Sequence, residues 1–225
     1  MTEQNAAGAT TRSTLVDVFG VVTDAQTYRN LLYLVVAFPL GLFYYTVLVL
    51  GFTLGLGLSI LLVGLGILLA TVVGLRYVAA FERRLANRLL GTAIADPDDL
   101  EREGEGIVAA VKAYLGASST WRGLGFVLVK FWLGILAFVL LVSVLGTGIE
   151  LAVLPLSPEG VFNVQVAGWR VADSVGTPIQ RAVAVPVGLV LVLVALHVQN
   201  AVARVNASIA SSLLGPDTDE QGETE

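Results

Sequence analysis

NLLYLVVAFPLGLFYYTVLVLGFTLGLGLSILLVGLGILLATVVGL (residues 30–75) contains no Asp, Glu, Lys or Arg. A soluble core does not require a run of that length. A bilayer does, because a spanning helix needs about 20 apolar residues. The run is too long for one span and suits two. The reading places helix 1 at about Leu31–Leu50 and helix 2 at about Gly57–Val78, joined by a turn at Gly51-Phe52-Thr53-Leu54-Gly55. Pro39 falls inside helix 1 and should kink it, which membrane helices tolerate when neighbours satisfy the freed carbonyl.

Two further charge-free runs, between Lys130 and Glu150 and between Arg181 and Arg204, extend the pattern. They place helix 3 at about Gly125–Leu145 and helix 4 at about Ala182–Val202. The composition agrees: 56% hydrophobic and 14% charged, where a soluble domain has roughly 25% charged residues. The expected fold class is therefore all-α: a membrane protein of four transmembrane helices in two tandem hairpins. Met1–Gly20 is polar, lacks a basic flank and apolar stretch, and does not read as a cleavable signal peptide. The domain reading is a polar N-terminus at 1–23, a membrane domain at 24–215 and an acidic tail at 216–225.

Basic residues set the expected orientation. Arg76, Arg83, Arg84, Arg88, Arg102, Lys112 and Arg122 lie between helices 2 and 3, with Arg12, Arg29 and Arg204 at the flanks. Only Arg170 and Arg181 lie between helices 3 and 4. This puts both termini in the cytoplasm of a multi-pass cell-membrane protein, and Gly146–Arg181 outside. In that outer loop Val161–Val166 alternates loosely, as a short strand would. Arg76–Leu90 carries apolar residues at Val78, Phe81, Leu85 and Leu89, which predicts an interfacial amphipathic helix ended by Gly91. Asp96-Pro97-Asp98-Asp99 reads as a helix start, and Ile107–Leu115 as a second short amphipathic helix.

The chain also aligns with itself. Thr27-Tyr28-Arg29 falls on Thr120-Trp121-Arg122, Tyr33 on Phe126, Phe38 on Phe131, and Leu40-Gly41 on Leu133-Gly134. Val78-Ala79 and Leu89-Leu90-Gly91 resemble Val202-Ala203 and Leu213-Leu214-Gly215. The repeats run from about 27 to 91 and from about 120 to 215.

Thr27-Tyr28-Arg29-Asn30-Leu31-Leu32-Tyr33-Leu34 followed by Phe38-Pro39-Leu40-Gly41 resembles the start of the "putative sensor" membrane domain. That domain occurs at the N-terminus of actinobacterial histidine kinases and in stand-alone haloarchaeal proteins. Thr120-Trp121-Arg122 to Phe131-Trp132-Leu133-Gly134 and the Leu89-Leu90-Gly91 ending resemble the same family. The resemblance implies a sensory role. The chain differs from the kinase members in ending at Glu225 without a transmitter, so phosphotransfer is not expected.

Catalytic motifs of the P-loop, H-E-x-x-H and G-x-S-x-G kinds do not occur, and neither an enzyme, a cofactor nor a metal is expected. With no cysteine and one histidine there is no thiolate or His-rich metal set. The net charge of −5 and the acidic clusters at Asp96–Glu105 and Asp217–Glu225 disfavour nucleic acid and anionic lipid. Acidic surfaces suit a halophilic archaeon, and they also occur as ordinary acidic tails.

Several residues carry competing readings. Trp169, Arg170 and Asp173 in the outer loop read either as a ligand contact or as loop core on the membrane surface. Tyr28, Arg29, Trp121 and Arg122 read as membrane anchors, with lipid phosphate or an acidic partner as the alternative. Lys130 and His197 read either as an intramembrane polar site or as a snorkelling lysine and an interfacial anchor. Gly66, Ala70 and Gly74 form a small-residue stripe suited to helix packing. The expected partners are the lipid bilayer, a cytoplasmic signalling protein and a second copy of the chain. The functional expectation is a non-enzymatic sensory or regulatory module; the alternatives are a transporter or channel component and a membrane scaffold subunit.

Overall fold

The structure is a computed structural model that describes residues 20–97, 107–156, 165–166, 169–170 and 177–216. Its helices are α1 (Ala25–Gly57), α2 (Val63–Leu89), α3 (Ile107–Gly116), α4 (Ser118–Leu140), α5 (Thr147–Val153) and α6 (Pro178–Leu214). A π-helical turn, Leu141–Gly146, joins α4 to α5 without breaking the span. Among the described residues four stretches are long and apolar enough to cross a membrane: Ala25–Gly57, Val63–Leu89, Ser118–Leu156 and Pro178–Leu214. The protein is an all-α membrane protein, and among the described residues two short strands pair. β1 (Gln165–Val166) pairs antiparallel with β2 (Trp169–Arg170), Gln165 opposite Arg170 and Val166 opposite Trp169.

The helices start where local chemistry permits. Asp24 Oδ1 accepts from the Gln26 amide at 2.9 Å and caps α1. At α6 the Gln180 amide donates to Thr177 Oγ1 at 3.3 Å, and the Thr177 amide donates to Gln180 Oε1 at 3.0 Å. That reciprocal pair is a capping box with Pro178 at the first helical position. α2 ends at Gly91, whose φ of +70° is the left-handed conformation that glycine adopts without strain.

The helices are longer than the expected spans: 33 residues for Ala25–Gly57 and 27 for Val63–Leu89. α1 continues through Gly51–Gly55, and the turn lies instead at Leu58–Leu62, where Leu62 takes φ 59°. Gly51 and Gly55 are contact points rather than a turn: a Cβ on Gly51 would overlap Thr71, and one on Gly55 would meet Leu68 Cδ2 at 2.6 Å. Asp96 accepts from Arg83 Nε at 2.9 Å, and the helix expected to start at Asp96-Pro97-Asp98-Asp99 lies outside the described residues from Asp98 onward. Among the described residues the helix that follows α2 is Ile107–Gly116, where Ile107–Leu115 was expected.

The chain divides into two compact units, Met1–Leu31 with Ala137–Val202 and Leu32–Leu136 with Ala203–Glu225. In the first, α5 and α6 touch through glycine: a Cβ on Gly148 would come within 2.9 Å of the Val192 amide nitrogen. A chain of amides closes its polar seam. Gln26 Nε2 donates to Asn30 Oδ1 (2.9 Å), Asn30 Nδ2 to Asn200 Oδ1 (2.8 Å), and Asn200 Nδ2 to Thr27 Oγ1 (2.9 Å).

In the second unit α1 crosses α4 backbone to backbone. A Cβ on Gly41 would lie 3.2 Å from Lys130 O and from Phe131 Cα; one on Gly134 would lie 3.0 Å from Ala37 O and 3.1 Å from Phe38 Cα. Around this crossing Tyr44, Leu48, Leu75 and Val127 form one buried cluster. Ala79, Ala86, Ile94, Phe126, Ala210 and Leu214 form another. Small residues set this contact because lipid is as apolar as leucine, so interhelical packing is gained by close approach. The stripe on α2 does not serve this purpose. Gly66 and Gly74 face open space, and Ala70 and Gly74 help line a shallow apolar cavity of ≈ 120 Å³ with Phe43, Tyr44 and Val47.

Gly134→Leu is expected to lower the unfolding temperature in detergent, at an overpacking cost of about 1–3 kcal/mol. Gly66→Leu, into open space, should leave it nearly unchanged; equal effects would show that the crossing is not a close contact.

Candidate functional site

Beside the glycine crossing, in the second unit, lies a buried ion pair. Lys130 on α4 donates through Nζ to Glu82 Oε2 on α2 at 2.6 Å, and the two side chains are 1% and 0% exposed. The same ammonium donates to Tyr33 Oη at 3.0 Å. It lies 4.4 Å from the Tyr33 ring centroid and 5.7 Å from that of Phe126. Two aromatic faces, a phenol and a carboxylate thus replace the water an ammonium would otherwise need. On the carboxylate side, Glu82 Oε1 has no hydrogen-bond partner among the described residues. Tyr44 Oη is likewise buried without a hydrogen-bond partner among the described residues.

The surrounding sequence explains why the pair can form. The α4 face that carries Lys130 also carries Phe126, Val127 and Gly134, all in contact with α1 or α2, so the lysine points into protein. On α2 the buried face is Val72, Leu75, Ala79, Glu82, Arg83 and Ala86. This reverses the expected amphipathicity. Phe81 is 48% exposed and Leu85 and Leu89 are only half-buried, while small and charged residues face inward. Toward lipid a large apolar side chain costs nothing; a charge must turn inward and find a partner.

The family profile described as "Putative sensor" matches residues 33–214. The chain belongs to that family. No similar curated protein and no similar solved structure was found. The match covers all of the ion pair, since Tyr33, Glu82 and Lys130 lie within it.

The other residues singled out in this sensor-family chain fall in separate places. His197, in the first unit, is exposed, with Nδ1 2.9 Å from the carbonyl of Leu193 on its own helix. Its neighbours turn inward instead: Gln199 is 1% exposed and donates to Ala137 O at 3.3 Å. Tyr28 is 54% exposed and donates to Val22 O at 2.6 Å; Trp121 is 56% exposed and donates to Leu115 O at 2.9 Å. Both aromatic rings thus lie on the surface, tied by the polar atom to a carbonyl six residues upstream. Arg29 is exposed, and Arg122 donates to Ser212 O at the end of α6. Trp169 and Arg170 form β2, but their side chains, like the whole of Asp173, lie outside the described residues. Among the described residues no His, Cys, Asp and Glu group could hold a metal ion.

Glu82 was not a candidate from sequence because it lies past the charge-free run, among arginines. One signal was available. Lys130 is the single charge inside its apolar stretch, and such a charge needs an acid within reach; Glu82 is the one acid between Asp24 and Asp96.

Lys130→Met is expected to destabilise the protein by about 3–5 kcal/mol, because it leaves Glu82 buried without a counter-charge. The double variant Lys130→Met/Glu82→Leu should cost less than the sum of the single changes. Thermal unfolding in detergent reads this cycle, and strictly additive losses would mean that the two groups do not interact.

Proposed function

We propose that this sensor-family protein is a non-enzymatic sensory module that passes a signal from outside the cell, or from the bilayer, to a cytoplasmic partner. Family membership supports a sensor-type domain, and one structural observation favours the relay. The two segments that leave the spans, Arg76–Leu90 and Val202–Leu214, do not end as separate arms. Ala79 and Ala86 from one, and Ala210 and Leu214 from the other, share a buried cluster with Phe126 and Ile94. Glu82 ties the first of these tails to α4 through Lys130. A shift of α4 would therefore be felt by both tails, and a partner would meet them as one surface.

In this reading the halves descend from one hairpin unit. The self-alignment pairs Thr27 with Thr120, Tyr33 with Phe126, Leu34 with Val127 and Gly41 with Gly134; each of the first three pairs is buried at both positions. Both glycines press on the partner helix backbone. The match of Val78-Ala79 to Val202-Ala203 sets Arg76 against Asn200. Arg76 Nη1 donates to Thr120 Oγ1 (3.3 Å), just as Asn200 Nδ2 donates to Thr27 Oγ1 (2.9 Å). The same registers set Lys130 against Ala37 and Glu82 against Asn206. The charge pair is then a feature of one copy only, as expected of a site acquired for a function rather than inherited as scaffolding.

A transporter or channel reading would want ionisable groups lining a path. Lys130 and Glu82 are instead closed against each other and against Tyr33, and this favours the sensor.

With no native cysteine, spin labels can be placed at Ala93 and Val205, both exposed near the tail cluster. In proteoliposomes the labels should show one separation in the parent chain and a changed or broadened one in Lys130→Met. An unaltered separation in a folded variant would remove the moving part from the relay. Tags at Met1 and Glu225 should both be reached from the cytoplasmic side of the cell membrane; access from opposite faces would reject the two-hairpin topology.

A further inference from the structure

We propose that the outward face of the α2 tail is a binding stripe for anionic phospholipid, with Arg84 and Arg88 on the phosphates and Tyr77 and Phe81 in the acyl boundary above them. The four residues follow one another at helical spacing on a single face of α2. Tyr77 is 74% exposed and Phe81 48% exposed, and both arginines are exposed.

The arginines of this region differ in what they touch. Arg76 donates to Ser119 Oγ at 2.7 Å and to Thr120 Oγ1. Arg83 is buried and donates through Nε to Asp96 Oδ1 at 2.9 Å. Arg122 donates to Ser212 O. Arg84 and Arg88 have no hydrogen-bond or ion-pair partner among the described residues. Two free guanidinium groups one helical turn apart attract an anion, and the planar fork of each suits a phosphate.

Depth selects the lipid headgroup as the source of that phosphate. α2 starts at Val63, next to a turn whose Ile60, Leu61 and Leu62 are 91%, 67% and 74% exposed and which suits the far edge of the hydrocarbon. At about 1.5 Å per residue, the helix has risen roughly 30 Å by Arg84, the thickness of the hydrocarbon core. Arg88 lies about 6 Å beyond. By the same count Phe81 lies about 5 Å and Tyr77 about 10 Å short of Arg84, on the hydrocarbon side of the interface where aromatic side chains collect. The opposite face of the same turns carries Glu82 and Arg83, so a pull on the outward face acts on the segment latched by Lys130. The stripe could supply the bilayer form of the signal proposed above, but it does not depend on that reading.

The experiment uses the full chain in nanodiscs of equal parts phosphatidylglycerol and phosphatidylcholine, and measures the ratio of the two lipids retained after mild detergent extraction. The parent chain should retain phosphatidylglycerol preferentially, and added salt should erode the preference. Arg84→Gln/Arg88→Gln should reduce it by about five-fold for each arginine, the ratio that corresponds to about 1 kcal/mol per basic residue at a membrane surface. Arg84→Lys/Arg88→Lys should keep most of it, and Arg204→Gln, which removes an exposed charge outside the stripe, should shift it by less. A parent chain without preference, or a double glutamine variant that retains the parent ratio, overturns the proposal. Because the readout is bound lipid, it decides the stripe whether or not the tails signal.

Discussion

A charge at membrane depth must be satisfied by protein, and the contact between Lys130 and Glu82 is where this sensor-family chain meets that demand. An unpaired charge at the bilayer centre costs about 2.5–3.5 kcal/mol on insertion scales, and a lysine level with Glu82, close to the edge of the hydrocarbon, could lower that cost by extending its long stem to the headgroups. Here the stem does not reach out. It turns between Tyr33, Phe126 and Glu82, so three helical segments must be in place before the ammonium is satisfied. The pair is worth more as a constraint than as a source of stability, since a buried ion pair roughly balances its own desolvation. What it excludes is any arrangement that separates α4 from α1 or from the tail of α2.

The same demand accounts for the inverted tail. A soluble amphipathic helix buries its large apolar residues and wets its charges. Along Tyr77–Leu90 the buried positions are Ala79, Glu82, Arg83 and Ala86, and Phe81 looks outward. In lipid the gain comes from close backbones and paired charges, so alanine and the ion pair take the inside and the large side chains take the outside. Exposed arginines then remain only where the helix has travelled far enough to leave the hydrocarbon.

The four spans were legible in the sequence because charge-free runs of that length have one physical explanation. Their ends were less so. The Gly51–Gly55 stretch carries the composition of a turn, yet those glycines let α1 lie against Thr71 and Leu68, and composition alone does not separate a bend from a close contact. The stripe Gly66-Ala70-Gly74 has the spacing of a helix interface, yet among the described residues nothing lies against Gly66 or Gly74, and Ala70 and Gly74 border a cavity. Lys130 stood out because it is isolated; Glu82 did not, because it is surrounded by arginines. One-half of an ion pair shows itself by breaking an apolar pattern, while the other half can be hidden in a charged one.

If the two halves share an ancestor, the positions that differ are more informative than those that match. Glycine at the crossing, threonine ahead of the aromatic anchor and alanine in the tail are what any copy of the hairpin needs in order to pack. Lys130 in the register of Ala37, and Glu82 in the register of Asn206, are not needed for packing, because the other copy lacks them. A lone lysine at that position would be a cost without return. It becomes tolerable only when an acid on a neighbouring segment answers it, so one change constrains the other.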